Sequence, residues 1–125
     1  MQKEVADRIA RSNKESILSL SVKAYGTPQY IGTVKAGSFN PPPKVDSAIL
    51  KIEHISRDYF KDVSETTFFE LLHTGFGQKR KQLLGNLKRV YGVRVEKVWQ
   101  SLSLETNIRA EDVQLHTWLE IAKHV

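Results

Sequence analysis

Two groups of residues in this sequence have types and spacing that could do chemistry. The first is a run of one charge sign. Between Gln78 and Lys97 stand Lys79, Arg80, Lys81, Lys88, Arg89, Arg94 and Lys97 against a single acid, Glu96. Seven less one leaves an excess of +6, more than the +5 of the whole chain. On a helical wheel Lys81, Gly85, Lys88 and Arg89 share one face, opposite Leu83, Leu87 and Val90. A glycine in a helix interior costs about 1 kcal/mol relative to alanine, so Gly85 on the basic face points to close approach of something bulky. A face of this kind is either a solvated helix surface or a seat for a phosphate backbone.

The second group is the loop Ser38-Phe39-Asn40-Pro41-Pro42-Pro43-Lys44-Val45-Asp46-Ser47. Three consecutive prolines fix φ and favour a stiff polyproline conformation. They would hold Phe39 at the mouth of the following strand. There its ring either plugs the end of the sheet or stacks on a flat ligand such as a nucleobase. A Pro-rich interaction motif is a weaker alternative, because a strand follows without a linker.

Other chemistries lack their residues. There is no GxxxxGK loop, and Gly75-Phe76-Gly77 is followed by Arg80 where a dinucleotide fingerprint needs glycine. His54, His73, His116 and His124 have no zinc-ligand spacing, so no metal site is expected. Zero cysteines exclude disulfides, thiolate zinc sites and a cysteine nucleophile together. Asp and Glu are scattered without a pair that could share acid–base work. No complete active site is present.

The elements that must position these groups follow from periodicity in 125 residues, of which 40% are hydrophobic and 26% charged. A weakly amphipathic helix is predicted over 2–12, uncapped at its start, with Val5 and Ile9 four apart. A second runs from about Lys14 to Tyr25, ended by Gly26-Thr27-Pro28 with the glycine as C-cap. Strands are predicted over 29–36 and 45–55, antiparallel across the proline loop. Val45 and Ile49 make the second apolar on both faces at its start, as in sheets covered by helices. Two strands alone are marginal, so this pair wants a larger sheet. After about residue 56 the period becomes helical. Phe68, Phe69, Leu72 and Phe76 form one stripe with Ser64 as N-cap, and Leu83, Leu87, Val90 and Tyr91 form another ended by Gly92. Further helices span roughly 95–102 and 117–124. The expected organisation is therefore residues 1–55 as part of an α/β sheet domain and 56–125 as a small all-α domain. No apolar run reaches membrane-spanning length, and Met1-Gln2-Lys3-Glu4 is not a signal peptide.

Taken in order, five blocks resemble the ribosomal RNA adenine dimethyltransferases. They are Gln2-Lys3-Glu4-Val5-Ala6-Asp7-Arg8-Ile9, Leu20-Ser21-Val22, Phe39 through Ala48, Phe76-Gly77-Gln78-Lys79-Arg80-Lys81 and Arg109-Ala110-Glu111. The resemblance covers essentially the whole chain, and the Phe-x-Pro-Pro-Pro-Lys-Val-Asp-Ser block is the specific part. It implies the C-terminal portion of an enzyme that uses S-adenosylmethionine to dimethylate two adjacent adenosines near the 3′ end of small-subunit ribosomal RNA. The fold implied is the last helices and two antiparallel strands of a Rossmann-like methyltransferase sheet, followed by a small helical RNA-docking domain. The erythromycin-resistance methyltransferases, which modify large-subunit RNA, are relatives. They more often interrupt the proline run with a basic residue and carry Asn where this chain has Asp46.

The resemblance also implies what each residue contributes. Phe39 would be the second aromatic sandwiching the flipped adenine, whose exocyclic amine attacks the methyl sulfonium of the cofactor. Lys79, Arg80 and Lys81 match a basic family stretch and would face RNA, with Lys88 and Arg89 continuing that surface. The family often has Arg at Lys79, Thr at Gln82 and Arg at Gly85, so one phosphate contact would be weaker. The Gly-rich cofactor loop, the acidic ribose ligand and the Asn-Leu-Pro-Tyr-type motif would lie upstream of Met1. No cofactor-binding residue is therefore expected in this chain, and alone it is expected to be inactive. The partner implied is the immature small ribosomal subunit in the cytoplasm, with no membrane and no metal. A non-catalytic rRNA-binding half-protein is the alternative of a different class.

Overall fold

A computed structural model of the chain describes residues 1–78 and 80–125. Its elements run α1 (Lys3–Ala10), α2 (Ile17–Lys23), β1 (Thr27–Val34), β2 (Ser47–Glu53), α3 (Glu65–Phe76), α4 (Leu83–Tyr91), α5 (Arg94–Ser101) and α6 (Leu115–His124). Short 3-10 turns at Ala36–Ser38, Asp58–Lys61 and Ala110–Asp112 join them.

The two strands pair antiparallel, from Thr27 opposite Glu53 to Val34 opposite Ser47. The register slips between Tyr30 and Gly32, leaving Ile31 as the extra residue of a bulge. Pro28 sits inside β1, which is tolerable because β1 is an edge strand and needs no outward N–H. The far edge of β2 is also occupied at its start. Ala48 N–H donates to Met1 O at 2.8 Å and Lys3 N–H to Asp46 O at 3.0 Å. β2 is thus flanked on both sides there, as an interior strand of a larger sheet would be.

α1 lies on this sheet through Ala6 and Ile9, and Ala48 is buried beneath it. The Arg11 guanidinium caps the contact 3.5 Å from the Tyr30 ring centroid, a cation–π pair worth about 0.5–1 kcal/mol at an exposed site. The opposite face is not covered. Ile49 is 52% exposed and Val45 is exposed too, so the double-sided apolarity expected to be buried is half satisfied within this chain.

Gly26 corrects the reading of it as a helix cap. α2 stops earlier, with Ala24 as its C-cap in helical conformation. Gly26 is needed instead for close approach, since a Cβ there would lie 2.6 Å from Ile52 Cγ2 and 3.0 Å from Glu53 O. At its other end α2 is fixed by a reciprocal cap. Ser19 N–H donates to Ser16 Oγ at 3.0 Å and Ser16 N–H to Ser19 Oγ at 2.9 Å.

The core belongs mainly to the second half of the chain, and α2 reaches into it. Leu20 and Ala24 pack with Phe68 and Leu72 of α3, Leu87 of α4, Val98 and Trp99 of α5 and Trp118 of α6. The fully buried Phe68 stabilises by roughly 1.5–3 kcal/mol. Trp118 stays satisfied while buried because its Nε1–H donates to Val113 O at 2.9 Å. Ser64 caps α3 as predicted, its Oγ accepting Thr67 N–H at 3.3 Å. Gly92 ends α4 at φ +77°, a backbone that favours glycine. Two details of the predicted pattern change. α4 begins at Leu83, so Lys81 precedes the helix, and Val90 is 64% exposed rather than part of the apolar face.

Candidate nucleic-acid interface

The basic cluster is assembled by the turn between α3 and α4 and by one long-range backbone bond. Lys81 N–H donates to Gln78 O at 3.0 Å, closing a tight turn that carries Arg80 and Lys81 to the entrance of α4. Leu83 N–H then donates to Ile108 O at 2.9 Å. That bond draws the segment between α5 and α6 alongside the start of α4, and the next residue, Arg109, arrives beside the turn. Ala110 is buried and anchors it there.

The result is a cavity of about 520 Å³ lined by Arg80, Lys81, Gln82, Gly85, Asn86, Arg89 and Arg109. Four of these seven are cations and none is an acid. Among the described residues no carboxylate lies within ion-pair distance of Arg80, Lys81 or Arg109. Uncompensated charge in a concave site focuses a positive field, which suits a phosphate. Gly85 forms part of the wall, and a Cβ on it would meet nothing within 4 Å.

The five basic residues singled out from the sequence fare differently. Arg80, Lys81 and Arg89 come together at this cavity. Lys88 does not line it, because its ammonium pairs with Glu96 across α4 and α5. Lys79 lies outside the described residues. Arg109 was legible only within the fifth family-like block, and nothing local marked it as a neighbour of Lys81. Asn86 was missed altogether, although a polar residue on the Leu83–Leu87 face of a helix was a signal.

Phe39 stands on a separate loop that is closed by Asp46. Asp46 Oδ1 accepts Ala36 N–H at 2.9 Å, and Lys35 Nζ lies 3.5 Å from Oδ2. The Ala36 hydrogen bond, helped by the Lys35 charge, holds the Asp46 carboxyl below the usual carboxylate range. Between them, Phe39 N–H donates to Ala36 O at 3.2 Å. Phe39 is 44% exposed in this chain. The peptide bond Asn40–Pro41 is cis.

No group of three or more His, Cys, Asp or Glu able to hold a metal occurs among the described residues. The four histidines are exposed and apart in the chain. Among the described residues no helix is long and apolar enough to cross a membrane.

A family model described as "Ribosomal RNA adenine dimethylase" matches residues 1–125. The chain belongs to this family. Among curated relatives it is 39% identical over 122 residues to the "Ribosomal RNA small subunit methyltransferase A" of Dehalococcoides mccartyi, covering 94% of this chain and 42% of that protein. The protein of the same name from Fusobacterium nucleatum is 36% identical over 128 residues, covering 98% and 48%. The chain thus spans less than half the length of these dimethylase-family relatives. A solved dimethyladenosine transferase from Plasmodium falciparum superposes with a TM-score of 0.78 at 25% identity, covering 97% of this chain and 54% of that one. The 23S rRNA methyltransferase ErmE shares the fold, with a TM-score of 0.66 at 19% identity. The sheet fragment and helices described above are therefore a partial methyltransferase fold of the rRNA adenine dimethylase family.

Gly75 and Gly77, which precede the basic turn, do not form a cofactor cradle: they are followed by Gln78 and Arg80, and a Cβ on Gly75 would strike Trp118 and Leu83.

Proposed function

We propose that this chain is the closing portion of an S-adenosylmethionine-dependent adenine dimethyltransferase acting on two adjacent adenosines near the 3′ end of small-subunit ribosomal RNA. Residues 1–55 complete the methyltransferase domain, and residues 56–125 form the RNA-docking domain. The observation that carries this reading is the four-cation cavity free of carboxylates, at the end of a chain that belongs to the rRNA adenine dimethylase family. Arg80, Lys81, Arg89 and Arg109 hold phosphates there. These contacts fix the position of the substrate and perform no chemistry themselves.

Phe39 serves the other half of the task. Its exposed ring, on a loop clamped at both ends, stacks on an adenine taken out of the RNA. The cofactor and the group that polarises the target amine belong to the part of the protein that this chain does not match. The working protein is cytoplasmic and meets the immature small subunit.

The test is methyl transfer from labelled S-adenosylmethionine to immature small subunits. The chain alone is expected to transfer nothing. Joined behind the front portion of the Dehalococcoides mccartyi relative, it is expected to restore transfer, and Phe39→Ala is expected to lower that transfer at least tenfold. Transfer by the chain alone, or full activity of the Phe39→Ala fusion, overturns the assignment. The second reading is a non-catalytic rRNA-binding half-protein, supported only by the same basic cavity. Salt-dependent RNA binding by the chain, together with a fusion that never methylates, would select it.

A further inference from the structure

Asn86 is 2% exposed in the interior of α4, where asparagine is a poor helix former. Both polar atoms of its side chain are paired. Nδ2 donates to Gly75 O at 3.1 Å and to Gln78 O at 3.2 Å, while Oδ1 accepts from Arg89 Nη2 at 2.8 Å. Gly75 O is one of the last carbonyls of α3, a group with no partner inside its own helix. Gln78 O lies in the turn that presents Arg80 and Lys81. One buried amide therefore ties together the end of α3, the basic turn and Arg89.

The contrast with Lys88 gives this arrangement its meaning. Lys88 is held by the carboxylate of Glu96, which cancels its charge. Arg89 is held by a neutral oxygen, which fixes the guanidinium and leaves its charge and remaining donors free. We infer that Asn86 is the positioning residue of the basic cavity, orienting Arg89 and the Arg80–Lys81 turn toward one RNA phosphate without neutralising either. The inference rests on the RNA-docking reading above.

The experiment uses the 125-residue chain and a fragment of the small-subunit rRNA 3′ end. Affinity is measured from 50 to 200 mM salt at a temperature where circular dichroism shows parent and variants folded. Asn86→Ala is expected to reduce the slope of log K against log salt by about 0.7–0.9, one phosphate contact. Arg89→Ala should lose the same amount, and the double variant no more than Arg89→Ala alone. A folded Asn86→Ala with the parent slope, or losses that add, overturns the role, since a purely structural asparagine would change stability and leave the slope alone. If Asn86→Ala does not fold, nuclear magnetic resonance of the parent decides. The Asn86 side-chain amide and Arg89 Nε–H signals should move together on adding the RNA, and stationary signals at saturation overturn it. A parent that binds with no salt dependence at all removes the docking reading itself, and the positioning role falls with it.

Discussion

The Asp46 carboxylate accepts the backbone N–H of Ala36 at 2.9 Å, and this one bond joins the two ends of the loop that carries Phe39. Asp46 also ties the loop to α1 through its own carbonyl, which accepts Lys3 N–H at 3.0 Å. The prolines stiffen the loop from within, and Asp46 sets where it begins and ends.

This bond has a pH signature. The Ala36 hydrogen bond, with the Lys35 charge behind it, lowers the Asp46 carboxyl below its unfolded value of about 3.9. A lowered carboxyl stabilises the loop above the unfolded value and loses that contribution as pH falls through the folded one. Protection of the Ala36 amide from hydrogen exchange should hold from neutral pH down to about 4 and collapse below it. Asp46→Ala should leave that amide unprotected throughout. An equally protected Ala36 in the variant would remove Asp46 from the loop's support.

Tyr25 and Glu65 make the corresponding joint between α2 and α3. The Tyr25 hydroxyl donates to Glu65 Oε2 at 2.8 Å, and the Arg57 guanidinium reaches Oε1 at 2.5 Å. The Tyr25 hydroxyl first, and Arg57 second, lower the Glu65 carboxyl. The sign is again stability present above the unfolded carboxylate value and lost as pH falls through the lower folded one. Tyr25→Phe should therefore destabilise the chain in urea at pH 7 and much less at pH 3. The ring's contacts with Phe60 and Phe69 survive in this variant, so a penalty equal at both would show that the hydroxyl contributes independently of the Glu65 charge.

Two glycines in helices should respond to alanine with opposite signs. At Gly75 a Cβ would sit 2.6 Å from Trp118 Cη2 and 2.7 Å from Leu83 Cδ1. Overpacking of about 1–3 kcal/mol should outweigh the helix-propensity gain, so Gly75→Ala lowers the melting temperature. At Gly85 nothing lies within 4 Å, and Gly85→Ala should stabilise by up to about 1 kcal/mol. Thermal melts of the two variants against the parent check both signs at once.

Local signals made much of the fold legible. Ser64 reads as a cap because its hydroxyl reaches a neighbour three residues on, and Gly92 reads as a stop because the backbone turns there. The strand pair follows from alternation across a proline loop. What sequence could not supply was long-range. Arg109 joins Lys81 only through the backbone bond from Leu83 to Ile108, across 25 residues of chain. Lys88 leaves the cluster because Glu96, on the next helix, captures it. Gly26 serves the strand Ile52 belongs to rather than the helix before it. The family-like blocks bridged part of this gap, since Arg109 sits in one of them. They did not indicate Asn86.

The most direct measurement is the salt dependence of binding between this chain and a small-subunit rRNA 3′-end fragment, with the Arg80, Lys81, Arg89 and Arg109 quadruple alanine variant beside it. With Arg80, Lys81 and Arg89 on one phosphate and Arg109 on a second, the parent should give a slope of about −1.4 to −1.8 in log K against log salt, and most of it should vanish in the variant. A parent slope near zero, or a folded variant that keeps the parent's slope, would contradict an RNA-docking role for this surface.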